Sequence, residues 1–406
     1  MPSPDIAPRL SPELRAAIYH FSVFGTNGAI SVYFGIWLVN RGIGPDEIGI
    51  INAAPVLLML ALNVFVGRIA DRASDWRGVI IALSLIAGAV PVGLFFVSGF
   101  WGILLIWTLC IMPAFALVPI IDAATLRMTE RRGTDFSTVR AWGTVGFMVA
   151  SIAAGPILGW LGDAAFVPLF VALALGRALL AFQLPRFRTE RAATAVVRAG
   201  ATRLGQVVKP WFVLTLLGLG ILYSTHGALG AFGALQWSRQ GIPEGLIGPL
   251  IGTMAAAEAA MMFVWKRLNL KVSARNLIIF ACLVAAARWT AMAFLPPIWV
   301  LFALQMLHSI TFAVGYLGGI YFIANWTSEE IAAEAQGFSF VLQQGMSVVA
   351  LIGFGWFYGA IGQWAWAVLG LYSAVGALLV LVSLRLRPPS PRPIGQDQRA
   401  VADPAP

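Results

Sequence analysis

Charge is what this chain has least of. Only 11% of its 406 residues are Asp, Glu, Lys or Arg, against about 25% in an average soluble domain. That shortage, beside 59% hydrophobic residues, excludes an ordinary soluble fold. Cysteine is as scarce: Cys110 and Cys282 both sit inside apolar runs, which excludes a disulfide framework and makes them packing residues. The three histidines fall on three different spans, so spacing builds no metal site. No GxSxG, HExxH, CxxC pair or Walker loop occurs, so neither a soluble-type enzyme nor ATP-driven transport has its machinery. No cofactor is expected beyond a proton gradient. Period-two alternation is missing too, which excludes a membrane β-barrel. The N-terminus, MPSPDIAPRLSPELR, lacks the hydrophobic core and cleavage site of a secretory signal, so the first span is expected to stay as a membrane helix.

What is present is a long series of apolar windows. A hydrocarbon core of about 30 Å takes about 20 residues of helix, and windows of that length recur at 15–39, 46–66, 78–98, 101–126, 137–160, 164–183, 209–237, 246–265, 275–295, 297–325, 331–358 and 364–386. The expected fold is therefore an all-α polytopic membrane protein with twelve transmembrane helices. Of the 27 Lys and Arg, 22 fall on the side that holds both termini, two (Arg41 and Arg239) on the other, and Arg140, Arg177 and Arg288 within spans. The positive-inside rule makes the termini cytoplasmic, and this topology accounts for the net charge of +9 without nucleic acid.

The longest internal connection is basic and falls near the midpoint. It divides the chain into a cytoplasmic segment 1–14, a six-helix half 15–183, a linker 184–208, a second six-helix half 209–386 and a Pro-rich, disordered tail 387–406. GIGPDEIG at 42–49 and GIPEGLIG at 241–248 match at four of eight positions, and each follows a tryptophan (Trp37, Trp237). Two halves related by such a repeat describe the major facilitator architecture, whose sites lie at the midplane between the halves. The segment GRIADRASDWR partly fits that superfamily's G-x-x-x-D-R-x-G-R gating motif through Gly67, Asp71 and Arg72, with Ser74 in place of the second glycine. An ordinary positive-inside loop would also explain it.

An ionisable group at mid-helix costs about 2.5–3.5 kcal/mol and needs a partner or a wet cavity. Counted from the helix ends, Asp122 and Arg140 lie at one depth on adjacent antiparallel spans and can pair. The pair either binds substrate or only ties two helices together. Glu258, set among alanines in MAAAEAAMMF, and His308 both lie about 17 Å from the outer ends, with Arg288 one to two turns shallower. A carboxylate, a histidine and an arginine around one cavity are the parts of a proton relay and an anion site. Glu258 and His308 can equally serve as hydrogen-bonded structural groups. Arg177 is expected to snorkel to the interface and His20 to sit there. His226 either lines the cavity or packs.

The motifs taken together resemble the phenylpropionate permease family of the major facilitator superfamily, a group similar to the lactose-type oligosaccharide/proton symporters. The resemblance rests on GAISVYFGIWL with Gly28, PIIDA around Asp122, VRAWGTVGF from Val139, AAAEAAMMF around Glu258, the run ending on Arg288 and Trp289, and LQMLHSITF with Gln305, His308 and Thr311. It implies that Asp122 and Arg140 hold the substrate, with Glu258 in contact with substrate and proton. Gly28, Trp142, Gln305, Arg288 and His308 join the implied substrate site, with Trp142 stacking on a ring. Glu258, Arg288 and His308 form the implied proton-coupling set. The lactose type carries a glutamate and a lysine where this chain has Thr311 and Gln305, which leaves Glu258 as the best carboxylate for a proton in this half. The expected protein is a monomeric inner-membrane symporter that takes up a small organic solute, best an aromatic acid anion. Sugars, nucleosides or proton-exchange export would use the same fold, and a receptor or membrane enzyme is a remote alternative.

Overall fold

The computed structural model describes residues 10–72, 75–187, 208–327 and 329–387, with the side chains of 63–72, 266 and 329–333 outside the described set. The elements among these residues are helical: α1 (Pro12–Asn40), α2 (Pro45–Arg72), α3 (Trp76–Ala89), α4 (Phe100–Arg132), α5 (Phe136–Leu161), α6 (Phe166–Ala181), α7 (Pro210–Arg239), α8 (Glu244–Leu268), α9 (Ala274–Met292), α10 (Ile298–Met306), α11 (Gly315–Trp326), α12 (Glu329–Ile361) and α13 (Ala365–Leu386). Among the described residues, eleven stretches are long and apolar enough to cross a membrane. The last of them, Glu334–Leu386, carries α12 and α13 on either side of a 3-10 turn at Gly362–Trp364. Gly362 has φ 59° there, a left-handed value that suits glycine.

Local chemistry sets the ends and the breaks. Ser11 caps α1 by accepting from the Leu14 amide, with Pro12 in the first turn. Asp135 caps α5 by accepting from the amides and hydroxyls of Ser137 and Thr138, which hold its carboxyl down at about 2. Pro91 has no amide hydrogen to offer Ala87, four residues back, and α3 gives way to a 3-10 segment at Val90–Phe95. Arg177 fills that vacancy. Its Nη2 donates to the Ala87 carbonyl at 3.1 Å, and Cys110 donates to the same oxygen. Arg177 is thus only 2% exposed, a correction to the expected snorkelling: a carbonyl freed by proline holds it inside the bundle. The crossing that begins at α10 is also interrupted, by a π-helical turn at Ser309–Val314 directly after His308. Such wide turns occur often at functional sites.

Helices α1–α6 pack largely among themselves, as do α7–α13, and the two sets meet along α5–α8, α2–α12 and α1–α7. At the end where α1 turns into α2 these seams are very close. A Cβ on Gly49 would come within 2.5 Å of the Leu351 carbonyl oxygen, and one on Gly248 would overlap the Ser151 carbonyl. Gly355 and Gly155 answer from the opposite helices, against the carbonyls of Pro45 and Glu244. Gly49 and Gly248 are the last residues of the two repeated octapeptides. The repeat therefore has a structural meaning, since each copy supplies the flat surface on which the other set of helices rests. Leu184 and Phe187, counted with the linker, are buried in the core of the first set, where Asp75 accepts from the Phe187 amide. The remaining linker residues 188–207, residues 1–9 and the tail beyond Arg387 lie outside the described residues, and so do the side chains of Gly67, Asp71 and Arg72.

Candidate substrate cavity and its charged clusters

Away from the glycine seal, a cavity of about 1190 Å³ lies between the two sets of helices. Its wall continues to Ile323 and Gln336 toward the opposite end. Aromatic rings dominate it: Phe34 stacks on Trp107 with centroids 3.5 Å apart, and Phe147, Tyr223, Phe312 and Tyr316 face the same space. Its polar lining is mostly uncharged, with Asn27, Ser31 and Asn52 from one set and Gln343, Gln344 and Ser347 from the other.

The first charged cluster is built by α1, α4 and α5. Asp122 lies on the cavity wall and pairs with Arg140 Nε at 3.1 Å, as depth counting predicts. The Arg140 guanidinium covers the Phe24 ring at 4.1 Å, a cation–π contact that offsets part of its desolvation. Its two terminal nitrogens make no hydrogen bond to the described residues, and the side chain is 28% exposed. His20 completes the cluster. It is fully buried, not interfacial, with Nδ1 3.8 Å from Asp122 and Nε2 3.2 Å from the Thr125 hydroxyl. Counting along the sequence puts His20 near the cytoplasmic end of its span, as it does Asp122, and does not report that the ring is enclosed.

The second cluster is built by α7, α8, α9 and the π turn. His308 Nε2 lies 3.4 Å from Glu258, so the two groups expected in one layer are in contact. Arg288 is fully buried, and no described carboxylate pairs with it. Its Nη1 donates to the Thr311 hydroxyl at 3.0 Å, its Nη2 to Gln305 Oε1 at 2.8 Å, and its guanidinium covers the Trp289 ring at 4.4 Å. His226 closes the set, with Nε2 3.0 Å from the Thr311 hydroxyl and its ring edge-on to His308. Tyr316 lies on the cavity wall.

Asp122 and His308 line the cavity directly, and Arg140 and Glu258, partly exposed themselves, are paired with them. Arg288 and Gln305 are buried a layer deeper. Gly28 is used up in the α1–α5 contact, where a Cβ would collide with the Phe147 carbonyl. Trp142 corrects an expectation. Two residues on from Arg140 is about 200° round the helix, and this tryptophan is 48% exposed on a face that does not reach the cavity. Phe147, on the same helix, is the ring that lines it. The aromatic wall as a whole escaped sequence reasoning, because an aromatic residue in an apolar span looks the same whether it packs or binds.

A helical bundle of this depth, with a large cavity between two packed sets and ionisable groups gathered on its wall, is the build of a secondary transporter. Residues 14–367 match the MFS_1 like family, and the chain belongs to it. It is a transporter of the major facilitator type and not an enzyme. It is similar to a probable 3-phenylpropionic acid transporter of Escherichia coli (strain K12), 26% identical over 380 residues that cover 92% of this chain and 96% of that one. It is also similar to a maltose permease of Geobacillus stearothermophilus, 25% identical over 90% of this chain and 93% of the relative. Among solved structures, the nucleoside transporter NupG superposes with a TM-score of 0.80 at 16% identity, covering 93% of this chain and all of that one.

Proposed function

We propose that this protein is a proton-coupled symporter of the bacterial inner membrane that takes up a small organic solute carrying an aromatic ring, best an aromatic acid anion. The observation that carries this reading is the Asp122–Arg140 pair at the wall of a cavity lined by aromatic rings. Asp122 holds the guanidinium by Nε and leaves its terminal nitrogens available, an arrangement suited to a carboxylate or to vicinal hydroxyls. The Phe147, Phe312 and Tyr316 rings offer faces and edges to a planar solute. The relative named for 3-phenylpropionic acid, which matches nearly the whole chain, supports the acid.

Counting α12 and α13 as separate crossings gives twelve, with both termini in the cytoplasm and two six-helix halves joined by the basic linker. In that orientation the glycine seal closes the outside and the cavity faces inward. Gly67, Asp71 and Arg72, in the last turns of α2, serve the gate on the cytoplasmic side, and the protein works as a monomer. Glu258 carries the coupling proton, His308 shares it, and Arg288 sets the charge of the layer behind them. A second reading, a sugar or nucleoside as solute, draws support from the amides and hydroxyls of Asn27, Asn52, Gln343, Gln344 and Ser347. The relative named maltose permease belongs with it. Counterflow in proteoliposomes with an aromatic acid, a disaccharide and a nucleoside separates the two. The first reading expects exchange of the acid and little of the others, and exchange of the sugar or nucleoside alone would overturn it.

A further inference from the structure

The coupling set just proposed leaves out His226. Its hydrogen bonds can be given a direction. A backbone carbonyl only accepts, so the Nδ1 that sits 3.0 Å from the Leu222 oxygen carries a hydrogen. A guanidinium only donates, so Arg288 Nη1 gives its hydrogen to the Thr311 oxygen. The Thr311 hydroxyl hydrogen is then free to point at His226 Nε2, 3.0 Å away, and that bond forms only while Nε2 holds a lone pair. The chain from Arg288 through Thr311 to His226 and Leu222 is thus complete for a neutral, Nδ1-protonated imidazole, whereas a doubly protonated ring would make the Thr311 oxygen accept twice, from two cations.

We propose that His226 is a second proton station beside the Glu258–His308 pair and the group through which helix α7 responds to the proton. Its ring centroid is 4.9 Å from that of His308, both rings line the cavity, and His308 Nδ1 is buried without a hydrogen-bond partner. A proton leaving the Glu258–His308 pair moves to His226 Nε2. The Thr311 hydroxyl must then turn its hydrogen away, and its oxygen faces two cationic donors, His226 and Arg288. The tie between α7 and the π turn is weakened by that repulsion. Helix α7 lies on α1 in the opposite set, with Gly35 against the Ala231 carbonyl, so loosening α7 bears on a seam that has to part during transport. The groups that face His226 are His308 and Arg288, with Glu258 in contact with His308, while α1 and α12 bring only uncharged residues to this part of the cavity.

The inference rests on proton coupling, and the test keeps the two apart. Purified full-length protein in proteoliposomes is assayed for counterflow and for accumulation driven by a pH gradient, from about pH 5 to pH 9, around the histidine range. In the wild type, accumulation is expected to follow two pH transitions. His226→Gln, which can bond to Thr311 but takes no proton, should lose one transition and about tenfold of the accumulation, with counterflow close to wild type. Thr311→Val should displace that same transition and leave the other. Nitrogen-15 histidine spectra should report the Nδ1-protonated tautomer for His226 at neutral pH. A wild-type profile in both variants, or an Nε2-protonated His226, would overturn this inference alone. Counterflow without any accumulation in the wild type would overturn proton coupling and this inference with it.

Discussion

The two charged clusters solve one problem in opposite ways. Asp122 and Arg140 neutralise each other as an ion pair, and each keeps about 30% of its side chain exposed. Arg288 is fully enclosed and meets only neutral groups, the Thr311 hydroxyl, the Gln305 amide and the Trp289 face. An open pair can trade its partner for a ligand at modest cost, since water and solute both reach it. A sealed cation cannot, and it acts as a fixed positive charge in the layer behind Glu258 and His308. The comparison teaches a division of labour: the first cluster is built to be visited by solute, the second to hold a field in which protons move.

The strongest way to break that contrast is Asp122→Asn. A hydrogen bond to a charged group is worth about 1.5–3 kcal/mol, so loss of the carboxylate should lower counterflow and accumulation together by about 10–100-fold. A variant that still exchanges solute normally would move Asp122 into a structural role. Gly248→Trp strikes the movement that both clusters depend on. Its indole cannot fit against the Ser151 carbonyl, so solute exchange should fall about tenfold or more while binding to the purified protein persists. Normal exchange would mean that the seal plays no part in the cycle. Arg140→Lys keeps the charge but loses the planar fork, and affinity for the solute should weaken by about tenfold. Unchanged affinity would make the arginine structural.

Arg177 sharpens the comparison from outside the cavity. Like Arg288 it is buried and has no described carboxylate partner, but its donor meets a backbone carbonyl in the core of one helix set. Arg177→Met should therefore leave solute affinity alone and lower stability by about 1–3 kcal/mol, because the buried Ala87 carbonyl keeps only the weak Cys110 thiol donor. Thermal unfolding in detergent would show it. A loss of affinity with an unchanged melting temperature would contradict this division between structural and functional arginines.

How much of this could be read in the sequence differed by kind of residue. Hydropathy and helix length place the crossings, because the bilayer fixes both, and depth counting brings Asp122 to Arg140 and Glu258 to His308 before any coordinates. Counting has no angular information, and Trp142, two residues from Arg140, lies on another face of α5. It also says nothing about burial: Arg177 and His20 fall near the ends of their spans and are nonetheless enclosed. The π turn that presents Thr311 and the two tyrosines on the wall leave no sequence signal of their own, since they arise from how α7, α9 and α10 pack.

The central claim is that proton and solute are handled by different clusters, and Glu258→Gln in proteoliposomes tests it most directly. The amide keeps the size and much of the hydrogen bonding of the carboxylate but cannot carry a proton. The account predicts that accumulation against a gradient disappears while counterflow stays within about twofold of wild type. Accumulation at the wild-type level would contradict it, and so would equal loss of both activities.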